Sequence, residues 1–366
     1  MDEARAASIM ARAARLARRG WYSARPNPRV GCVLVRDGEV VGEGWHRRAG
    51  EPHAEVLALR AAGARARGAT ACVTLEPCDH QGRTPPCSRA LIEAGIARVI
   101  YGVRDPHARA AGGLRTLAAA GIEVRGPVLE AECRALNPGF LLCHERGWPR
   151  VRLKVAASLD GRTAMASGES RWITGAAARR DVQCLRAESC AIVTGIGTLL
   201  ADDPRLTVRR EELDLAADCA PPDAQPLRVV VDSALRVRGD LRLFAEPGQV
   251  LIATAAAPRA VAGAEVIALP DAEGRVDLAA LLRHLGERQC HEVLVEAGAR
   301  LAGALLAQGL VDQLILYLAP KLLGSEGWPL ASLPLHRLAE AIELDIVDLR
   351  AVGADWRLIA EPRRRA

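Results

Sequence analysis

Short apolar runs alternate with stretches of helical composition along most of this chain, and that alternation limits the fold more than any other feature. Strands separated by helices can pair in parallel only if the helices cover the sheet, which is the layered α/β plan. Residues 30–35 and 40–45 read as strands flanking Arg36-Asp37-Gly38-Glu39, where Asp-Gly predicts a hairpin turn. Residues 54–64 are helical in composition and 71–75 read as a buried strand. A helix at 88–94 is stopped by Gly95, and a strand follows at 98–103. A helix at 114–120 is stopped by Gly121, with a strand at 122–124. The pattern predicts a three-layer domain on a mainly parallel sheet. Residues 130–144 are predicted as one helix despite Pro138.

Arg146-Gly147-Trp148-Pro149 breaks the pattern, and the domain boundary is placed there, giving domains 1–146 and 147–366. The second series predicts strands at 151–157, 190–194, 227–231, 250–254, 293–296 and 314–318. Helices are predicted at 176–186, 278–288 and 301–307. Residues 209–226, acidic and then proline-rich, are expected to form a loop. No internal repeat is visible, so the two α/β halves are different modules. A length of 366 residues suits two such domains, each with its own core.

Charge and cysteine content narrow the setting. The formal net charge is +5, with the positive residues scattered, which favours small anionic ligands such as phosphate esters. The basic residues are almost all arginine, with lysine only at 154 and 321. No apolar run approaches the roughly 18–20 residues needed to span a bilayer. Residues 1–20 lack a secretory apolar region and read as an amphipathic helix. Ten dispersed cysteines, read in a cytoplasmic protein, suggest buried thiols and a metal site rather than disulfides.

The sharpest chemical signal is His53-Ala54-Glu55 followed by Glu76-Pro77-Cys78 and Cys87. One imidazole and two thiolates give zinc three protein ligands, and an open fourth position for water marks a catalytic zinc. Zinc makes water nucleophilic near neutral pH, and Glu55 is placed to carry the proton that expels ammonia. Residues i and i+2 diverge by about 200° around a helix, so His53 and Glu55 share a site only at a helix start. Pro52 is consistent with such a start. Cys87 stands just ahead of the helix at 88–94, where a helix N-terminus favours thiolate. The deaminase pattern H-x-E with P-C-x-x-C is matched except that the second cysteine lies farther on, with Gln81 in its place.

That long spacing carries a resemblance. Thr74-Leu75-Glu76-Pro77-Cys78-Asp79-His80-Gln81-Gly82-Arg83-Thr84-Pro85-Pro86-Cys87 and Pro26-Asn27-Pro28-Arg29-Val30-Gly31-Cys32 resemble the bifunctional deaminase/reductases of riboflavin biosynthesis. The likeness continues through Lys154-Val155-Ala156-Ala157-Ser158-Leu159-Asp160-Gly161-Arg162-Thr163, Gly197-Thr198-Leu199-Leu200-Ala201-Asp202-Asp203-Pro204, Val231-Asp232-Ser233 and Glu296-Ala297-Gly298-Ala299. It implies a cytidine-deaminase-like first domain and a dihydrofolate-reductase-like second domain. It implies zinc on His53, Cys78 and Cys87, proton transfer by Glu55, and substrate contacts from Asn27, His80 and Arg83. Along NADPH it places Ala156, Trp172, Thr198, Asp202, Ser233, Gly298, Ala299, Arg300, Leu301, Ala302, Gly303 and Ala304. Against the substrate it places Ser170, Arg186, Leu206, Arg209 and Glu296.

The residues leave some of these open. Trp172 also suits core packing, Gly195-x-Gly197 also suits a plain turn, and the choice between Asp202 and Asp203 depends on alignment. Glu296-Ala297-Gly298, at a strand end ahead of a helix, offers N–H donors to a phosphate. Arg186 and Arg209 could grip a ribose phosphate in bidentate fashion. The implied chemistry is hydrolysis of the 2-amino group of a phosphoribosylaminopyrimidine, then NADPH-dependent reduction of its ribosyl group. A homo-oligomer acting on a small molecule, without nucleic acid or membrane, is expected. A nucleic-acid deaminase would show a basic stripe and stacking aromatics, whereas aromatics are 3% here. A structural zinc module would carry a fourth protein ligand.

Overall fold

The computed structural model describes residues 1–82 and 85–363. The chain forms two compact units, Met1–Gly147 with Leu215–Asp223, and Trp148–Asp214 with Ala224–Ala366. The stretch read as a loop of the second domain therefore gives nine of its residues to the first unit. There Asp218 meets Arg19 at 3.0 Å and Asp223 meets Arg48 at 2.8 Å.

The first unit opens with helix α1 (Glu3–Arg18), capped by Asp2, whose carboxylate accepts from the Arg5 N–H at 2.8 Å. Then come strands β1 (Gly31–Arg36) and β2 (Glu39–Trp45), helix α2 (Ala54–Ala62), strand β3 (Thr70–Leu75), helix α3 (Cys87–Glu93) and strand β4 (Arg98–Val103). Helix α4 (Gly113–Ala119), strand β5 (Glu123–Arg125) and helices α5 (Glu130–Arg134) and α6 (Pro138–Arg146) complete it. The sheet order is β2-β1-β3-β4-β5.

Only the β3/β4 and β4/β5 pairs are parallel, while β1 runs antiparallel to both neighbours. The expected mainly parallel sheet is thus corrected to a mixed one. The hairpin dictates this: Asp37 and Gly38 take φ of 51° and 81°, the paired left-handed residues of a two-residue turn. The single helix expected over 130–144 is also corrected. Pro138 starts α6 at its first turn, because a proline lacks the N–H that a helix interior needs.

Two glycines of β2 decide where α2 lies. A Cβ on Gly44 would stand 2.3 Å from Ala54 O, and one on Gly42 would stand 2.3 Å from Ala58 O. The helix backbone therefore rests directly on the strand. Gly44→Ala is expected to push α2 outward at a cost of about 1–3 kcal/mol. Zinc content and ammonia release should fall with it while NADPH oxidation persists, and an unchanged zinc content would contradict this account of α2.

The second unit runs β6 (Arg150–Ser158), β7 (Arg162–Ala164), α7 (Ala176–Glu188), β8 (Ala191–Gly195), α8 (Ile196–Asp202), β9 (Leu227–Val231) and α9 (Arg242–Ala245). It continues with β10 (Val250–Thr254), β11 (Glu265–Ala268), α10 (Leu278–Glu287), β12 (Glu292–Glu296), α11 (Ala299–Ala307) and β13 (Gln313–Ala319). The short β14 (Trp328–Pro329) precedes the hairpin β15 (Leu344–Val352) and β16 (Asp355–Pro362). The nine-stranded order is β11-β10-β9-β8-β12-β6-β13-β16-β15. All pairs are parallel except those made by β16.

Central strands read as continuous apolar runs because helices cover both faces. Val151, Leu153, Val293 and Val295 are buried with Leu281, Leu285, Ala302 and Leu305 in one core. The chain lays β8 to β11 outward and then returns to insert β12 between β8 and β6. The carboxyl ends of β6, β12, β8 and β9 consequently share one edge, where open α/β sheets bind ligands. Among the described residues no helix is long and apolar enough to cross a membrane.

Candidate active sites

His53 is the N-cap of α2, with extended backbone (φ −70°, ψ 167°), and Glu55 lies in the first turn. The helix begins between them, so the i, i+2 pair converges as the sequence requires. His53 Nδ1 lies 3.3 Å from Cys87 Sγ and 3.6 Å from Cys78 Sγ. Tetrahedral zinc at ordinary bond lengths holds nitrogen and sulfur ligands about 3.5 Å apart, so the donor set fits the ion. Among the described residues this is the only group of three such side chains close enough to share a metal.

The thiols divide their roles differently from the sequence expectation. Cys87 opens α3, but its backbone N–H points at Cys78 Sγ at 3.4 Å. The Cys87 thiol first, then His53 and this backbone N–H, favour thiolate on Cys78 against its burial, and its pKa falls to about 4. Cys87, giving its proton toward that thiolate and buried beside Glu55, is pushed up instead. Only a cation between the sulfurs makes two thiolates affordable. Glu55 is 3% exposed, and burial raises its carboxyl to about 7, where a group can both take and give a proton.

Supporting groups hold this geometry, among them His46, which the sequence did not single out. His46 is buried and pushed down to about 4, so its ring is neutral. Its Nε2 accepts from Asn27 Nδ2 at 3.0 Å, and its Nδ1 faces Pro52 O at 3.4 Å. Asn27 thus touches the histidine beside His53, their rings being 5.2 Å apart. Glu76 accepts the N–H groups of Gly112 at 3.0 Å and Leu114 and Asp105 at 3.3 Å. Asp79 accepts the hydroxyls of Ser88 and Thr116. These bonds fix the loop that carries Cys78. Among the described residues the buried His80 Nδ1 has no hydrogen-bond partner, and Arg83 lies outside the described residues.

In the second unit the strand ends gather most of the expected residues. Gly298, the N-cap of α11, donates its N–H to Thr198 Oγ1 at 3.0 Å, joining the ends of β12 and β8. Ser233, just past β9, accepts from Val276 N at 3.1 Å. Ala156 lies on β6, two residues beyond Lys154, which stands opposite Glu296. Gly298, Ala299, Arg300 and Leu301 lie at the accessible start of α11. Ala302 is fully buried, and Gly303 faces Ser332 O so closely that a Cβ would stand 2.1 Å away. These two serve packing, with Ala304 half-buried behind them.

Glu296 holds Arg186 in both arms, at 2.6 and 3.0 Å, and Arg186 also donates to Thr207 O at 3.0 Å. The fork expected to grip phosphate is thus already engaged. Burial alone would raise the Glu296 carboxyl, but Arg186 and then Lys154 hold it below its ordinary value. Leu206 is buried with φ of 53°, next to that Thr207 carbonyl. Arg209 pairs with Glu212 at 2.9 Å, and its N–H donates to the buried Gln183.

Trp172 is 65% exposed, so the core-packing alternative falls away. Arg179 covers its ring at 4.5 Å and Lys321 donates to its carbonyl at 3.0 Å. Ser170 lies half-buried just before it. Asp203 is taken by Arg242 at 3.2 Å, whereas Asp202 meets Arg171 only through its carbonyl. Lysine scarcity was the missed signal: Lys154 lies beside Glu296 and Arg186, and Lys321 touches Trp172. Burial pulls the Lys154 ammonium below its ordinary value. Asp160, accepting from Leu323 and Gly324 at 3.1 and 2.8 Å, ties the loop after β6 to the one after β13.

Comparison with known proteins bears on both sites. Residues 4–103 match the cytidine and deoxycytidylate deaminase zinc-binding region, and residues 149–358 match the RibD C-terminal domain. The riboflavin biosynthesis protein RibD of Escherichia coli (strain K12) is 52% identical over 356 residues, 94% of this chain and 96% of that protein. The chain belongs to the RibD family.

The RibD protein of Haemophilus influenzae is 47% identical, over 97% of each chain. The structure of Acinetobacter baumannii RibD superposes with a TM-score of 0.90 at 42% identity, covering 99% of this chain and 100% of that one. A Thermotoga maritima deaminase/reductase superposes with 0.86 at 34% identity, over 99% of each. As a RibD family member the chain couples a zinc-dependent, cytidine-deaminase-like domain to an NADPH-using reductase domain of dihydrofolate-reductase-like fold.

Proposed function

We propose that the first domain hydrolyses the 2-amino group of 2,5-diamino-6-(5-phosphoribosylamino)pyrimidin-4(3H)-one, and that the second reduces the ribosyl group of the deaminated product to ribityl. The Thermotoga maritima relative is described as a diaminohydroxyphosphoribosylaminopyrimidine deaminase and 5-amino-6-(5-phosphoribosylamino)uracil reductase. The convergence of His53, Cys78 and Cys87 beside a buried Glu55 carries the first half of the reading. Those three residues would hold zinc, which when bound would supply the Lewis acidity that makes water nucleophilic near neutral pH. Glu55 takes the proton from that water and returns it to the departing amine, so that ammonia leaves neutral. His46 and Asn27 keep His53 and the pyrimidine in register, with His80 and Arg83 as further substrate contacts.

In the second domain NADPH supplies the hydride. Ala156, Trp172, Thr198, Asp202, Ser233 and the start of α11 line the cofactor. Arg186 acts by holding Glu296 in place, and Ser170, Leu206, Arg209 and Glu296 face the phosphoribosyl group. Lys154, beside Glu296, is added to that group as a proton donor to the opening sugar. A cytoplasmic location and assembly as a homo-oligomer belong to the same proposal.

A two-step assay on the purified chain tests it. Ammonia release from the diaminopyrimidine should stop on zinc removal and return on zinc addition. NADPH oxidation should require the deaminated intermediate and survive the chelator. NADPH oxidation with the diaminopyrimidine in a zinc-free sample would overturn the proposed order.

A further inference from the structure

The carboxyl ends of the central strands of the second unit set out a line for an elongated ligand. In the sheet β6, β12, β8 and β9 are successive neighbours, so three steps of about 4.8 Å separate the first from the last. The cofactor residues named above follow that line: Ala156 is on β6, Gly298 comes after β12, Thr198 after β8 and Ser233 after β9. Lys154 and Glu296, on β6 and β12, mark the end where the substrate is reduced. The far end of a dinucleotide, its adenosine, then falls at β9.

Two charged residues stand there, and they face opposite ways. Asp232, the first residue past β9, is fully buried. Its Oδ2 accepts the Val237 N–H at 2.8 Å and its carbonyl accepts the Leu235 N–H at 3.0 Å, closing a turn in which Leu235 takes a φ of 50°. That carboxylate is committed to the protein interior. Arg236, on the outside of the same turn, has a side chain 58% exposed. Among the described residues its ion-pair partner is Asp232 Oδ1 at 3.9 Å, too long for a hydrogen bond. Its fork of donors is therefore left for another anion.

Neighbouring arginines are engaged: Arg238 with Asp240 at 2.6 Å and Arg242 with Asp203 at 3.2 Å. Arg259, from the loop after β10, donates to the Leu235 carbonyl at 3.1 Å and brings a second positive charge to the turn. Ser233 Oγ accepts the Val276 N–H at 3.1 Å, which leaves the hydroxyl its own proton to donate.

Dinucleotide sites distinguish NADH from NADPH at the adenosine 2′ position, where a strand-end carboxylate suits the hydroxyl and an arginine suits the phosphate. With Asp232 turned inward and Arg236 outward, the end of β9 meets the second condition. We propose that Arg236, with Ser233 beside it, binds the 2′-phosphate of NADPH and sets the preference for NADPH over NADH. A guanidinium gives two parallel N–H bonds to phosphate oxygens, a pairing that the single 2′-hydroxyl of NADH does not offer. The inference rests on the placement of the cofactor along the strand ends and adds the residue that selects it.

Calorimetric titration of the full-length protein with NADPH, NADH, adenosine 2′,5′-bisphosphate and AMP tests it. The native chain is expected to bind NADPH and the bisphosphate more tightly than NADH and AMP. Arg236→Ala should lower the ratio of NADPH to NADH affinity, and of bisphosphate to AMP affinity, by about 10–100-fold, the range for lost hydrogen bonds to a charged group. Arg236→Lys should restore part of it. Ratios that stay unchanged in Arg236→Ala, or a native chain that binds NADH as tightly as NADPH, would overturn the role of Arg236. Ser233→Tyr fills the end of β9 and is expected to weaken both dinucleotides, and unchanged binding in that variant would overturn the cofactor placement itself.

Discussion

Replacing Glu55 by glutamine is expected to lower ammonia release by about 10²–10⁴-fold, the usual contribution of a positioned proton carrier. Glutamine has nearly the same shape, and the site is buried, so neither zinc content nor folding should change. The amide cannot accept the water's proton or return one to the amine, and among the described residues no carboxylate joins the three ligands as a substitute. NADPH oxidation on supplied deaminated intermediate should continue at the native rate. Equal loss of the two activities would contradict separate sites, and loss of zinc would show that Glu55 acts on the metal shell instead.

Arg186→Met should have the largest effect on stability. The side chains of Arg186 and Glu296 are 14% and 12% exposed, and removing one member of a buried pair costs about 3–5 kcal/mol because the other is left charged. Lys154 remains near Glu296, which places the expected loss toward the lower end of that range. The pH dependence has a definite sign. With Arg186 present the Glu296 carboxyl lies below its ordinary value, so its contribution is full above the unfolded value of about 4.3 and is lost as pH falls through the folded one. Without Arg186, burial dominates and the carboxyl rises. The variant's deficit should then be greatest near neutral pH and narrow as pH drops toward 4. Denaturant unfolding followed on the second unit at two pH values measures this, and a deficit independent of pH would remove the electrostatic explanation.

The metal centre was legible in the sequence because its chemistry demands particular atoms. An imidazole, two thiols and a carboxylate admit few substitutes, and the start of α2 at His53 was implied by the i, i+2 spacing. The hairpin at Asp37-Gly38 was equally plain, since its turn requires left-handed residues. Packing contacts were not legible. Nothing near Gly42 or Gly44 announces that a helix will rest there, because the clash that excludes a side chain comes from residues 54–62. His46 is an ordinary histidine in sequence and becomes a neutral buried partner only once Asn27 folds against it. Lys154 carried a faint signal in a chain with two lysines, but its meaning depends on Glu296, which lies opposite in the sheet and 142 positions along. The β15–β16 hairpin escaped notice because charges interrupt its apolar residues and an extra residue breaks its alternation.

Residues 215–223 leave the order of the chain and the membership of its parts at odds. A gene divided after codon 147 would encode a front fragment retaining His53, Glu55, Cys78 and Cys87. That fragment would lack Asp218 and Asp223, the carboxylates that face Arg19 and Arg48. The rear fragment would carry the missing strip as a nine-residue segment that belongs to the other unit. The polypeptide is routed so that the first half reaches its finished surface only after most of the second half's opening third has been made, which ties the completion of one chemistry's scaffold to the synthesis of the other's.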